Sequence, residues 1–168
     1  EPPNDLSLDQ AGAIREYVRN GGHFIVVLPS AGNPWGLGTP GQNQLEDLLP
    51  GKAPRKDDPV RIGELLTVLT KADSTQANIE VSIRVFKDLK GTFNVIDNHY
   101  EPLVVIPDGR VVAIQRTFGH GRVTVIGIDL ADGRLSGLRL PQGDAFWNRI
   151  LGRRCDTPVY DEISRTDL

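Results

Sequence analysis

An α/β fold with a parallel core and a β-hairpin ahead of its last strand is predicted by three features of the sequence. A capped amphipathic stretch runs through a double glycine into the apolar run HFIVVL at 23–28. That run stops abruptly in a glycine- and proline-rich loop, PSAGNPWGLGTPG at 29–41. From residue 102 onward, short apolar stretches alternate with Asp-Gly and Gly-His-Gly turns, the punctuation of hairpins.

Each element follows from its local chemistry. Ser7-Leu8-Asp9-Gln10 reads as a capping box, and Leu8, Ala11, Ile14, Tyr17 and Val18 recur at helical spacing. Asn20-Gly21-Gly22 supplies the left-handed stop. His23 to Leu28 is apolar on both faces, the pattern of a parallel strand covered on two sides. Helix, double glycine and buried strand make half of a βαβ unit, so the partner strand must come from elsewhere. NQLEDLL at 43–49 predicts a short helix stopped by Pro50-Gly51, and the polar KAPRKDDP at 52–59 predicts an exposed connection. Ile62, Leu65, Leu66 and Leu69 place one apolar face on a short helix through 62–71. Ile79, Val81, Ile83 and Val85 alternate with polar residues as in a half-buried strand, although Phe86 and Leu89 also fit a helix over 78–89. Strands are predicted at 103–106, 111–118 and 123–130, and a closing helix over 143–151 carries Phe146, Trp147 and Ile150. The stretch after Gly152 loses periodicity and reads as a linker, giving one domain over 1–152 and a tail over 153–168.

Composition narrows the function classes. The chain has 168 residues, 39% hydrophobic and 24% charged, enough to bury a core in one domain without disulfide staples. A net charge of −3 carries no electrostatic footprint for nucleic acid. A single cysteine excludes an internal disulfide framework and any multi-cysteine metal site. No apolar run approaches the ~18 residues of a membrane span, so no membrane contact is expected from this stretch. The chain lacks methionine even at position 1 and is expected to be a piece of a longer polypeptide.

The order of the segments YVRNGGHFIVVLPSAGNPWG, QLEDLLP, EPLVVI, FGHGRVTVIGIDL and DAFWNRILGRR resembles non-catalytic domains of the class I glutamine amidotransferase-like superfamily from bacterial envelope proteins. Residues 52–98 lie outside the resemblance. It implies a flavodoxin-like parallel sheet flanked by helices, with its first strands upstream of Glu1. It further implies a pseudoenzyme serving as a binding or assembly module of a larger envelope protein, on the periplasmic or extracytoplasmic side, with the membrane anchor elsewhere. Catalytic relatives carry a nucleophilic cysteine after the strand equivalent to 23–28, and a His and a Glu after the last strand. Here Leu28-Pro29-Ser30-Ala31-Gly32 and Gly127-Ile128-Asp129-Leu130-Ala131-Asp132 stand in those places, without the cysteine or the histidine.

The candidate ligand or partner loop is therefore Ser30, Gly32, Asn33 and Trp35, joined by Asp129 and Asp132 beyond the last strand. Open α/β sheets keep their sites at the carboxyl ends of strands. The competing reading is a hydrolase that uses Ser30 as a replacement nucleophile or a carboxylate or metal site at the strand ends. Against Ser30, the flanks are not Gly-x-Ser-x-Gly and Pro29 restricts the turn, so a serine capping a turn or a short helix is the favoured account. The loop glycines have neither dinucleotide-fold nor Walker spacing and no lysine, so no cofactor is expected. Trp35 either folds back on the sheet or offers a surface to a ligand. Asp97, His99 and Glu101 alternate as metal-capable groups on a strand would, and alternating polar residues at a strand start account for them without a metal. His23 is expected half-buried, His120 solvated at a hairpin tip, and Cys155 without a role in the linker. The partner is an unidentified protein or small ligand.

Overall fold

The computed structural model describes residues 6–28, 45, 47–50, 52–61, 80–129 and 150–152. Helix α1 (Leu8–Arg19) forms as its sequence requires. The Ser7 hydroxyl accepts from the Gln10 N–H at 3.2 Å, and the Ser7 N–H donates to Gln10 Oε1 at 2.9 Å. At the other end Gly21 takes a φ of 106° and the Gly22 N–H donates to the Tyr17 carbonyl at 2.9 Å. Ala11 and Val18 are fully buried, whereas Leu8 and Tyr17, expected on the same face, are 72% and 56% exposed. The stripe that meets the sheet is narrower than the spacing of apolar residues suggested.

Among the described residues six strands follow: β1 (His23–Val27), β2 (Arg55–Arg61), β3 (Glu80–Val85), β4 (Glu101–Val105), β5 (Val111–Phe118) and β6 (Gly121–Ile126). They form a four-stranded sheet in the order β1-β6-β5-β4 and a two-stranded sheet of β2 and β3. The fold is α/β, and the expected hairpin lies ahead of the last strand, but the four-stranded sheet is mixed instead of parallel. Only β1 and β6 pair in parallel, with Val27 opposite Ile126, while β4-β5 and β5-β6 are antiparallel. The reason is the length of the connections. Pro107–Arg110 and Gly119-His120 are too short to cross over, so the strands they join must reverse. Gly109 and Gly119 supply the positive φ of these turns, 91° and 63°.

Elsewhere the sequence misleads in instructive ways. The polar stretch expected as a connection at 52–59 contains most of β2, where Val60 alone is buried. A solvated edge strand shows no apolar alternation, and Pro59 sits where the β2-β3 register shifts between Asp57 and Val60, a position that spares the ladder. In β3, Val81, Ile83 and Val85 are buried as the alternation required, and the helical reading of that stretch fails. The described part of 43–49 is a turn, in which the N–H groups of Leu48 and Leu49 both donate to the Leu45 carbonyl. The predicted helix at 62–71 lies outside the described residues, as does the closing helix except for Ile150 and Leu151. Ile150 is helical and fully buried.

One face of the four-stranded sheet packs against α1 and the Leu45–Pro50 turn. Ala11, Val18, Leu45, Leu48, Ile114, Val123 and Val125 meet there, with Phe24 and Val26 partly buried against them. The other cluster joins Val81, Ile83 and Val85 of β3 to Val104, Ile126, Ile128 and Ile150, with Ile25 of β1 beside it. The two sheets are stitched by backbone bonds around Gly127. Its carbonyl accepts from Arg84 N–H and its N–H donates to the Val112 carbonyl, each at 2.7 Å. Phe86 N–H donates to the Val111 carbonyl and Val111 N–H to that of Lys87, at 2.9 and 3.0 Å. A Cβ on Gly127 would lie 2.1 Å from the Arg84 carbonyl oxygen, so only glycine fits the seam.

Gly127→Ala is expected to lower unfolding stability by about 1–3 kcal/mol or more, the usual cost of forcing atoms into a packed site. Gly12→Ala, on an exposed helix position with nothing within 4 Å of the new methyl, is expected to raise it by roughly 0.5–1 kcal/mol. Urea denaturation of both variants checks the pair, and equal effects would refute the assignment of the seam.

Candidate functional site

The parallel pair fixes where the candidate segments leave the sheet. Leu28 extends β1 by donating its N–H to the Ile126 carbonyl at 2.9 Å, and its side chain is buried. The loop that begins at Pro29 and the segment that follows Ile126 therefore start at the same end of adjacent strands, the carboxyl end of both. Asp129 stands three residues past β6 and is half-buried. Ser30, Gly32, Asn33, Trp35 and Asp132 lie outside the described residues, as does Cys155.

Residues 47 and 48 are held by a network that the sequence did not announce. The Tyr100 hydroxyl donates to the Leu48 carbonyl at 3.0 Å, and an Arg116 Nη donates to the Asp47 carbonyl at 2.8 Å. The Asp47 carboxylate in turn accepts from Arg15 Nε at 2.9 and 2.8 Å. The Arg116 guanidinium lies over the rings of Tyr100 and Phe118, 5.2 and 5.5 Å from their centroids. Burial pushes the Tyr100 hydroxyl above its ordinary pKa despite the adjacent Arg116, which keeps it a proton donor. The turn at 47–49 is thus fixed to the sheet by side chains of β5 and of the turn before β4.

The three metal-capable residues do not gather. Asp97 accepts the His99 N–H at its carboxylate (2.8 Å) and the Tyr100 N–H at its carbonyl (3.2 Å), which makes a turn leading into Glu101 at the start of β4. Among the described residues no three His, Cys, Asp or Glu side chains come together as a metal site. His120 is exposed at the β5-β6 tip, where its backbone N–H caps the Arg19 carbonyl at 3.0 Å. His23 is half-buried, with Nε2 2.8 Å from the Thr124 hydroxyl. Desolvation, aided by the charge of Arg122, lowers its pKa.

A polar cleft of about 440 Å³ lies where the start of β2, the 88–92 turn and the β4-β5 turn meet. Its two guanidinium groups are committed internally. Arg55 reaches Asp57 and Asp88 at 3.3 and 3.4 Å and lies over the Phe93 ring. Arg110 holds Asp108 at 2.7 Å and donates to the Asp58 carbonyl at 2.8 Å. Asp88 accepts from the Thr92 N–H at 2.9 Å and from the Thr92 hydroxyl, and those bonds, the hydroxyl first, hold its carboxyl below the usual range. The arrangement ties the start of β2 to two turns through ion pairs. Its residues are drawn from segments with no periodicity, and no spacing in the sequence marks them as neighbours.

No family model matches the chain, and no curated protein matches it. Solved structures share its fold. Cytoplasmic protein STM3548 from Salmonella typhimurium superposes with a TM-score of 0.50 at 13% identity, over 88% of this chain and 61% of that one. Cytoplasmic protein STM1381 from Salmonella typhimurium LT2 gives 0.44 at 13% identity, over 86% and 60%. The chain spans about three fifths of the length of these structures. The envelope placement implied by the resemblance does not stand, since the structure that shares the fold is named as a cytoplasmic protein. Among the described residues no helix is long and apolar enough to cross a membrane.

Tyr100→Phe leaves the Leu48 carbonyl without its donor and is expected to cost about 0.5–1.5 kcal/mol. Faster proteolysis around residues 47–50 than in the parent protein would accompany that loss, and unchanged cleavage there would refute the holding role of the bond. The lowered His23 pKa has a signed consequence. The folded state binds the proton less readily than the unfolded chain, whose histidine titrates near ~6.5. Its contribution is complete above that pH and is lost as pH falls through the folded value. The melting temperature should therefore drop between pH 7 and pH 5, and His23→Gln should flatten that slope.

Proposed function

We propose that this chain is a non-catalytic, flavodoxin-like module of the amidotransferase-like type that binds a small ligand or a protein partner for a larger protein. The observation that carries the reading is the parallel β1-β6 pair. It brings the chain leaving β1 at Leu28 and the chain leaving β6 at Ile126 out at the same end of the sheet, and Ser30, Gly32, Asn33 and Trp35 follow the first in sequence, Asp129 and Asp132 the second. The space beyond the carboxyl ends of parallel strands is where open α/β sheets hold ligands. In sequence these segments supply hydroxyl, amide, indole and carboxylate groups, which suit recognition. A nucleophile in that place would need a positioned base and oxyanion donors, and the two segments contain neither cysteine nor histidine.

Two measurements test the reading together. With glutamine and a panel of amide, ester and phosphoester substrates, the protein is expected to turn over no faster than Ser30→Ala. Turnover abolished by Ser30→Ala would establish the hydrolase instead. In a thermal-shift screen of nucleotides, amino acids and sugar phosphates, a bound ligand at a hundred times its Kd should add about 2.7 kcal/mol of stability. Trp35→Ala and Asp129→Asn should each weaken that ligand tenfold or more. A ligand indifferent to both substitutions would place the site elsewhere.

A further inference from the structure

A cationic patch lies where the last turn of α1 meets the end of β5, at the opposite end of the sheet from the carboxyl ends of β1 and β6. Arg116 and Phe118 alternate onto one face of β5. The Arg116 guanidinium lies over the rings of Phe118 and Tyr100, and Arg19 lies over the same Phe118 ring, 5.3 Å from its centroid. The backbone of Arg19 is fixed there, because its carbonyl accepts from the His120 N–H at 3.0 Å. The carbonyls of Glu16, Tyr17 and Val18 are likewise taken by the N–H groups of Asn20, Gly22 and Gly21. The Arg19 side chain is therefore not needed to cap the helix.

The N–H donors of Arg116 are unequally used. Nη1 donates to the Asp47 carbonyl and, at 3.4 Å, to the Tyr100 hydroxyl. Nη2 makes no bond to a described residue, and Nε is buried without any acceptor. Nε and Nη2 form the forked edge by which arginine takes a carboxylate or a phosphate through two parallel bonds. A buried donor left without an acceptor is rare and costly. No acid of the neighbouring strands faces this edge. Arg116 stands opposite Val123 on β6, and Glu101 of β4 pairs with Gln115, which points to the other face of the sheet. Asp47 and Asp97 are the carboxylates whose charge is felt at Tyr100. The first is held by Arg15 and the second accepts the His99 N–H. Among the described residues neither Arg116 nor Arg19 has an ion-pair partner.

We infer that the Nε–Nη2 edge of Arg116, with the Arg19 guanidinium as a second cation, binds the phosphate group of inorganic phosphate or of a phosphomonoester. Two cations without ion-pair partners match a phosphate dianion, whereas a carboxylate would balance only one of them. Contact with two aromatic rings holds the Arg116 guanidinium in place, so little side-chain freedom is left to lose on binding. With Nη1 tied to the Asp47 carbonyl, the forked edge is what remains for a ligand. One phosphate oxygen on Nη2 and a second on Nε satisfy both donors. The second oxygen reaches Nε by parting the side chains that bury it, which makes that N–H a direct reporter of binding. This site stands apart from the ligand reading above, whose segments leave the sheet at its other end.

Nitrogen–proton NMR of the Arg116 Nε–H, followed while inorganic phosphate is added at constant ionic strength, tests the site. The signal should move downfield and exchange more slowly with water as phosphate binds. Affinities come from calorimetry on the same protein. Arg19→Gln, at an exposed position, should keep the fold by circular dichroism and weaken phosphate about tenfold. Arg116→Lys keeps the charge and loses the fork, so it should weaken phosphate by about tenfold or more. Trp35→Ala and Asp129→Asn should leave the phosphate affinity unchanged, which separates this site from the ligand reading. O-phosphoserine binding more tightly than inorganic phosphate would assign the site to a phosphorylated molecule, and equal binding would assign it to phosphate itself. An Nε signal that stays put through millimolar phosphate would overturn the proposal. So would acetate that moves it as far as phosphate does, or an affinity that neither arginine variant changes.

Discussion

Two sheets in this protein share one core because the chain passes from β6 into the second sheet through a residue without a side chain. Gly127 brings the backbones of β3, β5 and β6 within hydrogen-bonding distance, and Ile128, one residue later, bridges to Ile83. The side chains of Val81, Ile83 and Val85 can then meet those of Ile126, Ile128 and Val104. Without that close approach β2 and β3 would be an isolated two-stranded ribbon, which is at best marginally stable in water. A second close approach sets the helix. A Cβ on Gly121 would lie 2.1 Å from the Val18 carbonyl oxygen, so the start of β6 and the last turn of α1 touch backbone to backbone.

These contacts also determine where function can reside. The chain leaves β1 at Leu28, on a strand held by β6, and the carbonyls of Asp47 and Leu48 are held by Arg116 and Tyr100. The polar cleft at β2 and the β4-β5 turn has a different character. Its guanidinium groups are spent on aspartates of neighbouring turns, so its charges stabilise the junction of β2 with the β4-β5 turn.

Much of the secondary structure was legible in the residues themselves. α1, β1, β5 and β6 carry their signals locally, as a capping box, an apolar run and glycine turns, and they lie where those signals place them. β2 was not legible, because an exposed edge strand buries one residue in seven and leaves no alternation to detect. The 43–49 segment carried helical spacing and its described part folded as a turn, its leucines buried by the sheet face and its backbone satisfied by long-range side chains. Of the candidate site, Asp129 stands three residues past β6, and the Tyr100–Arg116–Asp47–Arg15 network was invisible because its members are far apart in the chain.

The sequence by itself determined the α/β class, the capped helix and the hairpin, since each depends on residue identity and near-neighbour spacing. Only the tertiary structure decided that the four-stranded sheet is mixed, that the second sheet joins it through Gly127, and that β1 lies at an end of the described sheet. The physical reason is that strand order and edge exposure are set by backbone hydrogen bonds between distant segments, and those bonds leave no mark on the local pattern of side chains.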